Sequence, residues 1–112
     1  MSASRTITIT TGPVRASSYA FRLRRAAYAA ARAHPGARAD ALNEEVARVN
    51  RAIYDALVAL GVPKGAVLVV SAALSVEGDR PRISDVRIDV MQRDDVLSED
   101  VTKAVADELA RA

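Results

Sequence analysis

Hydrophobic and polar residues alternate at the start of the chain, and the pattern then changes to a helical repeat. In Arg5–Thr11, isoleucine alternates with threonine at the period of two that is typical of a half-buried strand, and Gly12-Pro13 is expected to end that strand. An alanine-rich helix is expected to follow, capped by Ser17 or Ser18. We place its end near Ala33, because a proline two residues later disfavours helical geometry before it.

The second helix has the clearest periodicity in the chain. We expect it to begin at an Asp40 N-cap and to stop at Gly61. Its apolar residues recur at steps of three and four along one face, and they are Leu42, Val46, Val49, Ile53, Leu57 and Leu60. The opposite face is polar, so the helix should lie on a core with one side in water.

Two strands and a third helix are predicted in the second half. Ala66–Val76 is almost uncharged and reads as a central strand buried on both faces, followed by a hairpin loop and a return strand over Arg82–Gln92. Ile83 falls on the wrong parity of that strand, which a bulge near Ser84-Asp85 would repair. Ser98 is expected to cap a short final helix.

These elements predict a single α+β domain over residues 1–112, in the order β-α-α-β-β-α. A three-stranded antiparallel sheet would carry the helices mainly on one face, and the 50% hydrophobic content suffices for one core. No run of about 18 apolar residues exists, so a cytoplasmic protein without a membrane partner is expected. A homodimer is also expected, since an alanine-rich helix lets another element approach closely.

Charge is distributed unevenly along the chain. Residues 1–39 hold seven arginines and no acidic residue, whereas nine basic and fourteen acidic residues follow, so segments of +7 and −5 make up the net charge of +2. Such asymmetry is typical of a surface for a polyanion. Two parts that neutralise each other within the fold, or across an oligomer, would produce the same pattern.

Catalytic and metal-binding motifs do not emerge from the sequence. The chain has no cysteine and one histidine, His34, in a helix-ending turn, and it lacks both a Gly-x-Ser-x-Gly elbow and a phosphate-binding glycine loop. Asp94, Asp95, Glu99 and Asp100 cluster, but a helix start explains them more simply than a metal does. We therefore expect a protein that is not an enzyme and needs no metal or cofactor.

The first helix carries the remaining candidate site. At 100° per residue, Tyr19, Leu23 and Ala27 fall on one side, and arginines alternate with rings on the other. Arginines that grip phosphates beside rings that stack on bases are the mix of a single-stranded nucleic-acid surface. Arg15, which precedes the helix, is added to this set. The predicted binding residues are Arg15, Phe21, Arg22, Arg24, Arg25, Tyr28 and Arg32.

Several short motifs resemble a protein family. Thr11-Gly12, Tyr19-Ala20 and Leu23-Arg24-Arg25, together with Val49-Asn50-Arg51 and Val62-Pro63-Lys64-Gly65, are similar to an uncharacterised archaeal family found mainly in thermophiles. The resemblance extends to about Val90 and implies an archaeal cytosolic protein. It brings no activity and no functional residue.

A second likeness concerns the order of elements alone. The order β-α-α-β-β-α is also that of the type I KH domain, which binds single strands. The phosphate-clamping Gly-x-x-Gly loop of that family is not matched by His34-Pro35-Gly36-Ala37-Arg38, so its site is not carried over.

Two functions are therefore compared below. The first is an accessory protein that contacts RNA or DNA through the first helix. The second is a homo-oligomeric interaction module in which the basic part docks on acidic surface. Exposure of Phe21 and Tyr28 separates them, because open rings beside Arg25 favour nucleic acid and rings buried against another chain favour assembly.

Overall fold

The computed structural model describes residues 6–111 and has the predicted α+β order. Arg5, the first residue of the predicted strand, lies outside the described residues. The elements are β1 (Thr6–Arg15), α1 (Tyr19–Ala31), α2 (Ala39–Ala59), β2 (Val67–Glu77), β3 (Arg80–Met91) and α3 (Asp95–Arg111). Boundaries differ by a few residues from those expected; α2, for example, begins one residue before the predicted Asp40 cap.

The sheet has the strand order β1-β2-β3, and both pairs are antiparallel. A tight hairpin turn at Gly78-Asp79 connects β2 to β3, and Gly78 supplies the positive φ of 65° that the turn needs. The bulge predicted near Ser84-Asp85 is confirmed. The register shifts opposite Ser71/Ala73, and Asp85 adopts φ 53°, which returns Ile83 to the buried face opposite Leu74.

β1 also contains a bulge, and this corrects its predicted end. The strand does not stop at Gly12-Pro13 but runs to Arg15, with a register shift between Thr10 and Pro13 and with Gly12 at φ 63°. The buried Thr11 hydroxyl accepts a hydrogen bond of 3.0 Å from the Val70 N–H. The Thr11 side chain therefore accepts the hydrogen bond of a β2 backbone N–H that the bulge would otherwise leave without a partner.

The core lies between one face of the sheet and the two helices α1 and α2. α1 packs on β1, and α2 packs on β3. The predicted α2 stripe is confirmed for Leu42, Val46, Val49 and Ile53, which are all buried, whereas the predicted members Leu57 and Leu60 are half-buried and exposed. The central strand contributes Leu68, Val70, Ala72 and Leu74 to this core.

Two further expectations need correction. β2 is not buried on both faces, because its alternate residues from Val67 to Ser75 lie on a sheet face that no helix within residues 6–111 covers and are only half-buried. α3 is not short and does not pack on the sheet. It begins at Asp95 after an Asp94 cap, spans 17 residues, and has no buried residue. It accounts for the elongated shape of the chain, 64 Å along its longest axis.

None of the helices in the described residues 6–111 is long and apolar enough to span a membrane.

Candidate nucleic-acid interface

α1 is held against the sheet by one narrow face, which leaves its other faces free. Leu23 and Ala27 are fully buried between α1 and the sheet. The small alanine side chains on this side let the helix axis approach β1 closely. The opposite face, which carries most of the arginines of the helix, is exposed.

Tyr19 and Asn50 fix α1 relative to α2. The Tyr19 hydroxyl donates to the Asn50 carbonyl oxygen at 3.2 Å, and the Asn50 Nδ2 atom donates to the Ala20 carbonyl oxygen at 3.4 Å. Burial raises the pKa of the Tyr19 phenol, and the nearby Tyr54 and Asp55 raise it further. Tyr19 is thus a neutral hydrogen-bonding anchor at ordinary pH, and it orients the first turn of α1 and with it the exposed face.

Two arginine–ring pairs lie on the exposed part of α1. The Phe21 ring is 64% exposed, and the guanidinium carbon of Arg25 lies 5.8 Å from its centroid. The guanidinium carbon of Arg24 lies 5.5 Å from the centroid of Tyr28. These are cation–π separations, so each ring carries a positive group on one face.

The two rings differ in burial, and the helical wheel alone did not separate them. Phe21 is open to solvent beside Arg25, which is the outcome expected for a nucleic-acid surface rather than for a packed core. Tyr28 was assigned to the outer face, but it is half-buried and packs against the hydrophobic core at the border of that face. Tyr28 therefore offers only its outer edge to a ligand.

The arginine face of α1 and the bulged part of β1 enclose a concave surface of about 600 Å³, which we call the α1–β1 groove. Its lining includes six of the seven residues predicted to bind nucleic acid, together with two threonines of β1. The lining residues are Thr10, Thr11, Phe21, Arg22, Arg24, Arg25, Ala26, Tyr28, Ala29 and Arg32.

Arg15 is the predicted residue that the fold does not bring to this groove. It is the last residue of β1, it follows the bulge, and it lies opposite Val67 on the side of the sheet away from the helices. Thr10 and Thr11 are groove residues that the sequence reasoning missed. Gly12-Pro13 is the sequence feature that could have revealed them. It marks the bulge, although its composition also predicts a strand end.

The groove is uniformly basic. No acidic residue is among those that line it, and within residues 6–111 none of its four arginines forms a salt bridge. Elsewhere in the described residues, Arg38, Arg48, Arg87, Arg93 and Arg111 each pair with a carboxylate, whereas Arg15, Arg51, Arg80 and Arg82 also form no salt bridge. The basic and acidic parts of the chain thus do not neutralise each other at α1 within a single copy.

A second concave surface, between the start of α2 and β3, has a mixed character. Arg80 and Arg82 line it, but so do Glu44 and Glu45. Arg48 at the same place is already paired with Glu45 at 2.8 Å. Four arginines and two glutamates line this surface in all, and two of those arginines, Arg38 and Arg48, are already paired with carboxylates, so it is a poorer anion site than the α1–β1 groove.

The other sequence candidates do not assemble into a site. In the part of the chain that the structure describes, no three histidine or carboxylate side chains come together as a metal would require, and this includes the acidic cluster at the start of α3. His34 lies half-buried in the turn after α1, where its buried Nε2 atom has no hydrogen-bond partner among the described residues.

Comparison with known proteins identifies the fold. No family model matches the chain, and no curated protein matches it. Solved structures do match it, among them one from each of the thermophilic archaea Aeropyrum and Pyrococcus. apeThermo-DBP-RP2 bound to the single-stranded DNA dT10 matches with a TM-score of 0.74 and 21% identity, over 95% of this chain and 54% of that one. pfuThermo-DBP-RP1 matches with a TM-score of 0.70 and 21% identity, over 94% of this chain and 84% of that one. This likeness shows a shared fold, and the chain spans about half the length of the first protein.

Proposed function

We propose that this chain is a non-catalytic protein that binds single-stranded nucleic acid, and single-stranded DNA in particular, in the α1–β1 groove. The observation that carries the proposal is the Phe21 ring. It is 64% exposed, it stands beside the guanidinium of Arg25, and it lies at the border of a groove that holds four arginines without an acidic side chain. An exposed ring in such a setting offers a base a stacking surface next to phosphate-binding groups.

Different residues of the groove can serve base stacking and phosphate binding. Arg22 and Arg32 have no partner ring within cation–π distance in the described chain, so their guanidinium donors are available to phosphate oxygens. Arg25 both supports the Phe21 ring and adds positive charge beside it. Thr10 lines the opposite wall, and its hydroxyl, which accepts a hydrogen bond of 3.1 Å from the Gly12 N–H, can donate its own proton to a phosphate or a sugar oxygen.

The stacking requirement selects the form of nucleic acid. A base can lie on the Phe21 ring only when its own face is free, and in a duplex both faces are covered by neighbouring base pairs. Single strands should therefore bind more tightly than duplexes of the same length. The name of the first matching structure, a DBP bound to dT10, supports DNA as the strand to test first.

A protein partner with an acidic surface is the second candidate, because the same arginines would serve it. The observation that favours this alternative is the acidic start of α3, where Asp95, Glu99 and Asp100 are exposed and could face the groove of another copy. The two functions differ in their dependence on Phe21. A bound base needs its aromatic face, whereas an acidic protein surface needs mainly the arginines.

The test is a fluorescence anisotropy titration of labelled single-stranded DNA, single-stranded RNA and duplex DNA across a salt series. For the R22A/R25A/R32A variant, we expect the slope of log K against log salt to fall in magnitude by about 2, since three lost phosphate contacts count about 0.7 each for single strands. The F21A variant should weaken binding by about 1–3 kcal/mol with an unchanged slope, because it removes a stacking surface and no charge.

Two matched controls make the titration specific. The variant R51A/R80A/R82A removes the same number of exposed positive charges from α2 and β3, and it should keep most of the affinity. The variant F21L keeps apolar bulk but loses the aromatic face, so it should resemble F21A. Equal losses in the two arginine variants, or unchanged binding by F21A and F21L, would contradict a site in the α1–β1 groove.

A further inference from the structure

The two outer edges of the sheet differ in protection within residues 6–111. At the β3 edge, the main-chain N–H of Ile83 donates to the Oε2 atom of Glu45 at 2.7 Å, and the Nη2 atom of Arg48 donates to the Ile83 carbonyl oxygen at 3.5 Å. Two side chains of α2 thus take the place of a neighbouring strand. The bulge at Asp85 bends the same edge two residues further on. Both devices keep another chain from pairing with β3.

The Ile83 contacts also show which main-chain groups of β1 point outward. Because the N–H of Ile83 points away from β2, its partner Leu74 has its own main-chain groups directed to β1, where it pairs with Ile7. Bonded and non-bonded positions alternate along an antiparallel pair, so every second residue of β1 directs its N–H and its carbonyl oxygen to the open edge. In the first half of the strand these residues are Thr6, Thr8 and Thr10.

Two further observations agree with this assignment. The Val70 N–H points to β1, since it donates to the Thr11 hydroxyl, and Val70 has the same parity as Leu74. Pro13 and Pro81 have no N–H, and both fall at positions whose main-chain groups point away from β2. The outward direction of the threonine main chain therefore does not depend on a single contact.

The β1 edge has no comparable protection from Thr6 to Thr10. β1 is the first strand of the sheet order, and no strand or hydrogen-bonding side chain among residues 6–111 covers its outward main-chain groups. This stretch also contains no proline, no bulge and no charged side chain. Proteins use such devices to keep an edge strand from pairing with another chain, so an edge without them is able to accept one.

α1 gives this edge a basic wall. Thr10 lies on one side of the α1–β1 groove, and Arg22 and Arg25 lie on the other, with no acidic residue in the lining. A strand added to β1 would lie about 4.8 Å from it, and every second side chain of that strand would point to the α1 side of the sheet. Ala26 and Ala29 line the same wall, and their small side chains leave room there.

We propose that an extended acidic peptide segment of a partner protein adds to β1 as a fourth strand and pairs with the outward main-chain groups of Thr6, Thr8 and Thr10. Carboxylates at alternate positions of the peptide would then bind Arg22 and Arg25. Charge disfavours the same edge of a second copy, since two β1 edges side by side would bring two arginine faces together. The partner strand must therefore supply negative charge.

Strand addition and nucleic-acid binding exclude each other, because both occupy the α1–β1 groove. An acidic segment would thus compete with a bound strand and release it. This competition rests on the proposed function, whereas the addition of a peptide to β1 does not.

The first experiment is a fluorescence anisotropy titration with a labelled peptide in which glutamate alternates with valine. The wild type should bind this peptide, and the R22A/R25A/R32A variant should bind it at least about tenfold more weakly, because the carboxylates lose their partners. A peptide with lysine in place of glutamate is the control for charge, and it should not bind. Equal binding of the two peptides would overturn the proposal.

A proline on the edge separates main-chain pairing from charge. Thr8→Pro removes one outward N–H and should weaken peptide binding about tenfold or more, since a peptide carbonyl is left without a donor. Thr8→Val keeps the N–H and should bind the peptide within about twofold of the wild type. Thr8 does not line the groove, so both variants should bind single-stranded DNA as the wild type does. Proline is tolerated on edge strands, and cooperative urea unfolding verifies that the variant is folded.

Amide hydrogen exchange of the wild type tests the pairing without any variant. The peptide should slow exchange of the Thr8 and Thr10 amides about tenfold or more, because their hydrogen bonds are new. The amide of Ile9 is the internal reference, since it already points to β2 and should change little. Unchanged exchange at Thr8 with the peptide bound would overturn strand addition.

The outcomes for the peptide and for DNA can be told apart. A wild type that binds single-stranded DNA but not the glutamate peptide at low salt would overturn strand addition and leave the proposed function standing. A folded Thr8→Pro variant that binds the peptide like the wild type would overturn strand addition as well. Binding and amide protection by the peptide without any binding of DNA would support strand addition and contradict the proposed function. If both bind, unlabelled peptide should displace labelled DNA, and simultaneous binding would overturn the competition.

Discussion

Glu45 fastens α2 to β3, and its removal should measurably loosen the fold. Its Oε2 atom accepts a hydrogen bond of 2.7 Å from the backbone N–H of Ile83, which is the buried residue beside the β3 bulge. Its Oε1 atom accepts one of 2.8 Å from Nε of Arg48, one turn further along α2. The Glu45 side chain is 12% exposed, so water replaces neither contact easily.

The cost of the Glu45→Ala substitution follows from these contacts. A hydrogen bond to a charged group contributes about 1.5–3 kcal/mol, and a buried donor left without an acceptor loses an amount of similar size. The Arg48 side chain is 64% exposed, so its ion pair with Glu45 adds less than about 1 kcal/mol. We therefore expect a loss of about 2–4 kcal/mol in the free energy of unfolding, which corresponds to at least 8 °C in Tm at about 4 °C per kcal/mol.

The same contacts predict a pH dependence. The hydrogen bond from Arg48 holds the pKa of the Glu45 carboxyl below its usual range, and the Ile83 N–H contributes in the same direction against the opposing effect of burial. A carboxyl with a depressed folded-state pKa stabilises the fold above its unfolded pKa of about 4.3 and loses that contribution as the pH falls through the folded value. The stability advantage of the wild type over Glu45→Gln should accordingly shrink below about pH 4.3.

Urea denaturation followed by circular dichroism at several pH values measures both effects. Glu44→Ala is the matched control, because Glu44 is the neighbouring residue on α2 and is exposed; its cost should stay within about 0.5 kcal/mol. A loss below about 1 kcal/mol for Glu45→Ala would refute the reasoning. So would an advantage over Glu45→Gln that stays constant as the pH falls from 6 to about 3.

Substitutions at three further positions test the bulges and the α1 anchor by denaturant unfolding. Thr11→Val should cost about 1–3 kcal/mol, because the buried Val70 N–H loses its acceptor, while Thr11→Ser should retain most of the stability. Tyr19→Phe should cost about 0.5–1.5 kcal/mol through the lost bond to Asn50. Because burial raises the Tyr19 pKa, the stability advantage of the wild type over Tyr19→Phe should be lost above pH 10. A difference in unfolding free energy that does not change with pH would contradict this prediction. Asp85→Gly should be neutral or stabilising by up to about 1 kcal/mol, because glycine adopts the positive φ freely; a clear loss would show that the Asp85 side chain matters more than its backbone.

The order of elements and most of the core could be predicted from the sequence, because both depend on periodicity. The apolar stripe of α2 from Leu42 to Ile53 must face an apolar surface in any arrangement of the other elements. The wrong parity of Ile83 in β3 was enough to locate a bulge. The arginine-rich face of α1 was visible for the same reason, since a helix places residues on faces by their spacing alone.

Other features depended on which element packs on which. Gly12-Pro13 has the composition of a strand end, yet the strand continues because the Thr11 hydroxyl satisfies the Val70 N–H across the bulge. The uncharged run of β2 suggested burial on both faces, but small residues such as Ser71 and Ala73 tolerate a half-exposed face equally well. Periodicity does not report how many layers a fold has.

The order of the elements, the parity of the strands and the charge of α1 follow from side-chain chemistry and local repeat, so they could be predicted before any tertiary contact was known. Three outcomes follow instead from the packing of the elements: Phe21 is open while Tyr28 is half-buried, Thr10 lines the groove while Arg15 does not, and α3 lies away from the core. These outcomes depend on the distance and angle between α1 and β1 and on the register shift in β1. Contacts between residues far apart in the chain set those quantities, and no local pattern encodes them.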